Sequence, residues 1–503
     1  MKQSTLAAML PAIPDLCDVF EVLIQALPQF LKLIALIRRF RREPVTPVRA
    51  CAFETELAAI AREANRIIVE HEFNAIEPKR RDECPLRLQF AGEVYRRRPK
   101  SRKQVGTLFG EIELRRYLYQ AVEPGEPALV PLEKQLGIET GLATAALAER
   151  VGVLSAEHEQ EQVRTVLQRE HNVCWSVQSL RKVTATLRDG LAPFREEAQV
   201  NKLLELLNKA FASKGKHRPT LAAGRDGIHV PIRKQGYHEG STATVSVCDR
   251  RGKRLGTVYL GQMPESGQAT LSAQLTALLT KVLTHWHTAG RPAPRLAYIT
   301  DGGTHPKEYY QKVLRRMDDP WHAGRKLAWQ WVLDFWHACC YVSKIAQMLF
   351  GAGAKASQWF AKWRHWLRDR RQGVTQVLRS VMWHYNNGRK LGKATTEDYW
   401  TAYRYLRKHA VWMKYWQYRG QGMPIGSGVT EAACKTVFTQ RLKRSGMTWA
   451  CEGGQVILDL RVLVLSKIWR EVHETYLRSK PQPTVVKSAS QRFSQGHILK
   501  NAA

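Results

Sequence analysis

The spacing of apolar residues changes period several times along this chain, and each change marks an element. Val19 to Ile37 is almost wholly apolar but holds Glu21, Pro28 and Lys32 and runs into the basic stretch RRFRRE. This predicts a pair of amphipathic helices rather than a membrane span or a signal peptide, with a membrane-surface anchor as the other reading. Residues 50 to 75 keep a helical period without a breaker and predict one long helix. From Leu86 to Gln120 apolar and polar residues alternate around the basic run Arg96 to Lys103, which predicts a hairpin with a cationic tip. Residues 138 to 198 read as three or four short helices. The last of them begins with Ser176 as N-cap and carries Arg181, Lys182 and Arg188, as in the second helix of a helix-turn-helix.

A second region begins near Arg218. TLAAGRDGIHVPIR is a strand around Asp226, and STATVSVCDRRGKRLGTVYLGQM is two strands joined at Asp249 to Lys253. ATLSAQLTALLTKVLTHWH is helical, and RLAYITDGG brings Asp301 to the end of a short apolar strand. A helix at His305 to Arg316 follows, and WQWVLDFWH reads as a further strand. The expected order is three strands, helix, strand, helix, strand, helix. About 90 helical residues come next, with Trp359, Trp363 and Trp366 on one face and other tryptophans at 383, 400, 412 and 416. These are most simply core, with stacking on an unpaired base as the alternative. The organisation expected is 1–85 helical, 86–200 hairpin plus helices, 215–340 and 422–475 the two parts of an α/β core, 341–421 a helical insertion, and 476–503 a disordered tail.

Gly422 to Gly446, GMPIGSGVTEAACKTVFTQRLKRSG, sets a single carboxylate in a basic field. Gly426 and Gly428 open a helix expected to bury Ala432, Ala433, Val437 and Phe438. Glu431 stands near the positive end of that helix, where a carboxylate stays ionised, and Lys435, Arg441, Lys443 and Arg444 follow it. Alone, the stretch reads first as an ordinary amphipathic helix with a solvated acid. Asp226 and Asp301, each followed by glycine, are singly also turn residues.

Charge changes the picture. Lys and Arg number 78 against 45 acids, a net charge of +33 in 503 residues, spread along the length. A polyanion is the expected partner, nucleic acid first, because neutralising phosphates releases counterions whatever the base sequence. Nine cysteines with no CxxC pair indicate reduced thiols in a cytosolic setting and argue against zinc-finger recognition.

The DG at Asp226, ITDG at Asp301, DFWH at Asp334 to His337, GSGVTEAACK around Glu431 and RLKRSGMTW from Arg441 together resemble the DDE transposases of bacterial insertion sequences. The likeness is nearest to the Kra-type group, related to the Mutator-like superfamily, and covers roughly residues 86 to 469. It implies a ribonuclease-H-like α/β core with a helical insertion, preceded by a mainly helical DNA-binding region. It further implies that Asp226, Asp301 and Glu431 bind two Mg²⁺ ions, with Mn²⁺ able to substitute, and cut and join DNA. His337 is implied as a further catalytic residue touching the scissile phosphate or a flipped end nucleotide, or else a core histidine. Asp334, read as lying on a buried strand, is left to orient it. Lys435, Arg441, Lys443, Arg444, Arg181 and Lys182 are the candidate DNA contacts. The implied partners are double-stranded transposon ends and target DNA, with a homo-oligomer on DNA, no membrane, and a cytoplasmic, nucleoid-associated location. A catalytically silent DNA binder and a nuclease or resolvase without strand transfer are the alternatives. Where related families carry cysteine pairs beside the hairpin, YQAVEPG at Tyr119 to Gly125 has none, so no metal-stabilised N-terminal module is expected.

Overall fold

The structure, a computed structural model, describes residues 19–123, 125–388 and 391–486. Cys17, the start of the first helical region and the tail beyond residue 486 lie outside the described residues. The chain divides into two compact units, residues 1–190 with 473–503, and residues 191–472.

In the first unit, α1 (Phe20–Arg42) and α2 (Pro47–Ala75) lie side by side, with Thr46 capping α2 and Pro47 at its first turn. The expected pair of helices in residues 19–37 is one continuous helix, because Pro28 sits inside α1 without ending it. By length and composition α1 is apolar enough to cross a membrane, the only such helix among the described residues.

An antiparallel sheet follows, of β1 (Arg87–Phe90), β2 (Glu93–Thr107) and β3 (Gly110–Ala121). The hairpin is as expected, but its tip is not the basic run. The turn is at Leu108–Phe109, where Thr107 Oγ1 accepts from Phe109 N and donates to Gly110 O, and Gly110 takes a positive φ. Arg96 to Lys103 instead lie along the middle of β2, where a bulge between Arg97 and Lys100 shifts the register.

Beyond α3 (Pro131–Gln135), helices α4 (Ala145–Glu157) and α5 (Gln160–His171) bury Leu147, Val151, Val163 and Leu167 with Trp175. The last expected short helix is a single helix of 36 residues, α6 (Val177–Ala212), which runs through Pro193; its start is fixed by Ser176 Oγ accepting from Ser179 N.

The second unit holds a five-stranded mixed sheet, with the order of elements that the sequence pattern predicts. β4 (Thr220–Ile232), β5 (Gly236–Cys248) and β6 (Arg254–Gln262) form an antiparallel meander. After α7 (Ala269–Thr288), β7 (Arg295–Thr300) adds parallel to β4; after α8 (Thr304–Lys312), β8 (Gln330–Leu333) adds parallel to β7. The spatial order is β6-β5-β4-β7-β8. One face packs on Leu271, Leu275, Leu278 and Val282 of α7, the other on helices that follow β8.

Those helices are α9 (Phe335–Phe350), α10 (Ala354–Asp369), α11 (Gly373–Asn387), α12 (Lys393–His409) and α13 (Tyr415–Gly420). Trp359 and Trp363 are buried among them, as the core reading expects, whereas Trp383 and Trp416 are exposed. α14 (Gly428–Ala433) passes into a π-helical stretch, Cys434–Thr439, and a last turn at Gln440–Leu442. α15 (Cys451–Leu465) and α16 (Trp469–Ser479) follow. The tail expected to begin at 476 is ordered through its first residues, for α16 reaches Ser479 and β9 (Thr484–Val485) pairs antiparallel with β1.

Candidate active site

Asp226 and Asp301 are brought together by strand pairing. β4 and β7 are parallel neighbours with Gly224 opposite Ile299, so the residue two beyond each is Asp226 or Asp301. Asp226 Oδ1 accepts from its neighbour Gly227 N at 2.8 Å, and Asp301 Oδ1 accepts from Gly303 N at 2.9 Å. Only the DG at Asp301 leaves its strand, for β7 ends at Thr300; Asp226 and Gly227 lie within β4, paired with Thr242 and Ser241 of β5, contrary to the turn reading.

Glu431 arrives from the other side, on α14. That helix lies on the strands because small and hydroxylated residues meet: Thr430 Oγ1 and Thr244 Oγ1 share a buried hydrogen bond of 2.8 Å. A Cβ on Gly224 would collide with Thr430 Oγ1. Gly224→Ala is expected to push α14 from the sheet and destabilise the unit by about 1–3 kcal/mol, read by urea denaturation. Ala433, Cys434, Val437 and Phe438 are buried, whereas Ala432 is exposed, contrary to expectation, because the buried stripe runs 430, 433, 434, 437, 438 and leaves 432 on the outer face.

The electrostatics also correct the expectation for Glu431. Its carboxyl is held above its usual range, by burial first and then by Asp334 and Asp226, with the Ser427 hydrogen bond opposing. Asp226 is likewise raised, by burial and then by Asp301 and Glu239, while its bonds from Cys434 and Gly227 oppose. Burial and the clustered acids outweigh the helix dipole because the dipole is a partial charge whereas the neighbouring acids carry full ones. Beside them the Cys434 thiol donates to Asp226 Oδ2 at 3.3 Å; burial and the adjacent Asp226 carboxylate push its pKa up, so it remains a thiol.

Asp334 is the residue that the sequence reading undervalued. It is not on a strand: β8 ends at Leu333, and Asp334, fully buried, caps α9. Its Oδ1 accepts from Trp336 N at 2.5 Å and His337 N at 3.2 Å. Its Oδ2 accepts from Ser427 N at 3.0 Å and from Ser427 Oγ. Ser427 Oγ also lies 3.0 Å from Glu431 Oε1. One hydroxyl hydrogen is shared between two carboxylates, and the nearness of Asp334 is among the causes that raise Glu431, after burial. The sequence signal was there in the GSG preceding VTE, but nothing in the spacing ties it to a residue 93 positions earlier.

The chain matches no protein-family model and no curated protein. What the site can do rests on its own chemistry.

Among the described residues no three His, Cys, Asp or Glu side chains are arranged around a point to hold a metal ion as they stand. The donor chemistry nevertheless fits a hard divalent cation. Asp226, Asp301 and Glu431 offer only carboxylate oxygens, and the burial and the neighbouring acids that raise Asp226 and Glu431 are costs of ionisation that such a cation offsets.

A pH dependence follows, with its sign set by these raised values. A carboxyl raised in the folded state binds its proton more tightly than in the unfolded chain, so its ionisation works against folding. The metal-free protein is expected to lose stability as pH rises above the ordinary values, 3.8 for Asp226 and 4.5 for Glu431, until each has ionised. Mg²⁺ restores stability at the upper end of that window, as thermal denaturation with and without EDTA would show.

His337 is half-buried, its ring edge-on to Tyr341 at 5.5 Å and Tyr405 at 5.7 Å. Tyr405 in turn donates to the Asp301 carbonyl at 2.6 Å, a contact with no sequence signal. Of the four cations after Glu431, Lys435 is exposed and Lys443 and Arg444 are half-buried. Arg441 is only 1% exposed, with its guanidinium over the Trp449 ring, so it belongs to the core rather than to a DNA-facing surface. Arg181 and Lys182 are exposed on the other unit, Arg181 donating to Gln160 Oε1.

Proposed function

We propose that this chain is a DDE transposase that binds the terminal inverted repeats of an insertion sequence and carries out divalent-cation-dependent DNA strand cleavage and transfer. The observation that carries the reading is the gathering of Asp226, Asp301 and Glu431 from two adjacent parallel strands and a distant helix, in a chain of net charge +33. Supporting it, the sheet order β6-β5-β4-β7-β8 with only β5 antiparallel to the rest is the arrangement expected of a ribonuclease-H-like core, and the helices after β8 stand where the insertion is expected.

In this reading two divalent cations at the three carboxylates supply activation of the attacking oxygen and stabilisation of the leaving one. Asp226 and Asp301 present fixed oxygens from the sheet edge. Asp334 holds the Gly-Ser-Gly turn, and so the approach of Glu431, through Ser427. Lys435 and its neighbours Lys443 and Arg444 hold the phosphate backbone beside them.

One observation favours the silent-binder alternative, namely that Glu431 is engaged by Ser427 rather than turned to the two aspartates. Incubating the protein with labelled duplexes from the DNA flanking its gene, with Mg²⁺ or Mn²⁺, separates the readings. Nicking at the repeat ends and joined products support the transposase. Binding without cleavage supports the silent protein, and cleavage without joining supports a nuclease.

A further inference from the structure

α1 carries two apolar seams, and only one of them is covered. Val22, Ala26 and Leu36 are buried in the pairing with α2, where Phe40 stacks on Phe53 at 4.3 Å and Arg39 pairs with Glu56. On a different face Phe20, Ile24, Leu27, Leu31 and Ile34 stand between 46% and 59% exposed. Their spacing is 4, 3, 4, 3, the heptad period of a helix that lies along another helix. A helix apolar on nearly all sides is a buried helix, and α2 accounts for one side.

We propose that this seam pairs antiparallel with the same seam of a second copy of this chain, in the absence of DNA. Charge selects the occupant and the direction. α1 has Glu21 at its start and Arg38, Arg39, Arg41 and Arg42 at its end. Arg38 continues the seam by one more step of four. A parallel pair would stack these arginines on their own copies. The antiparallel pair sets Ile24 against Ile34 of the second copy, Leu27 against Leu31, and Phe20 against Arg38, in a two-fold contact. Glu21, whose side chain is 72% exposed and lies 3.8 Å from His71 Nε2 of α2, then comes level with Arg38 of the second copy, a permanent charge beside which the His71 contact is the weaker. Arg38, Arg41 and Arg42 have no ion pair among the described residues, so their charge is available to it. The six layers span about 27 Å. A seam that short is expected to give a dimer that dissociates on dilution.

The test is sedimentation of the full chain without DNA over a range of concentrations. The wild type is expected to move from monomer to dimer. Leu31→Asp, at an exposed position, is expected to weaken the dimer at least ~10-fold with an unchanged circular dichroism spectrum. Glu21→Arg weakens it as well, and adding Arg38→Glu to Glu21→Arg restores it. A chain that stays monomeric throughout, a dimer that survives Leu31→Asp, or a failure of the charge exchange to restore pairing overturns the proposal. So does a solution monomer that binds phosphatidylserine vesicles through Leu31, which would make the seam a lipid-facing surface.

Discussion

Replacing Asp226, Asp301 or Glu431 singly by Ala is expected to lower Mg²⁺-dependent cleavage of repeat-end DNA by on the order of 10³-fold or more, with the triple variant little worse than any one of them. The reason is that the three act as one unit: Asp226 within β4, Asp301 just past the end of β7 and Glu431 on α14 stand within electrostatic reach of one another. Removing any one leaves too few oxygen ligands to hold two cations. Because Asp226 and Glu431 repel when ionised, the single alanine variants are expected to be at least as stable as the wild type without metal. Loss of activity with preserved or raised stability and preserved DNA binding is the signature sought. Cleavage that persists in the Asp226→Ala and Glu431→Ala proteins would remove this site from the chemistry.

The second large effect is on stability, at Asp334. Asp334→Ala is expected to destabilise the second unit by about 3 kcal/mol. The carboxylate caps α9 through Trp336 N and His337 N, and such a cap contributes about 1 kcal/mol. It also receives Ser427 N and Oγ in a buried place, where each orphaned donor costs about 1–3 kcal/mol. Asp334→Asn keeps an oxygen for the cap but turns an NH₂ group toward Ser427, and is expected to lose about half as much. Urea denaturation measures both. A loss under about 1 kcal/mol for Asp334→Ala would mean that the Gly-Ser-Gly turn is held by its other contacts, such as Phe335 N to Ile425 O.

These two residues classes differ in how legible they were. Asp226 and Asp301 could be read because each follows a short apolar run that must be a strand, and parallel pairing of β4 with β7 sets the two acids level. Glu431 could be read because GSG marks a turn before a helix. Asp334 was misplaced because WQWVL and DFWHACC are both apolar, and a strand running into a buried helix shows no change of polarity at the cap. Arg441 was misplaced because a guanidinium buried over Trp449 looks, in sequence, like any member of a basic cluster. Likewise the basic run of β2 looked like a hairpin tip, while the actual turn, at Leu108–Phe109, is apolar and depends on Thr107 and the positive φ of Gly110.

By itself, the sequence determined the order of strands and helices in the second unit, the positions of its acids along the chain, and a net charge of +33, since period and composition are local properties of the chain. Only the tertiary structure decided that α14 lies on β4 and β5 through Gly224, Thr244 and Thr430. Only there did Asp334 reach Ser427 across 93 residues, and burial with neighbouring acids raise the carboxyls of Glu431 and Asp226 against a helix dipole and a basic field. Those outcomes depend on burial and on distances between groups far apart in sequence, and no spacing rule carries either.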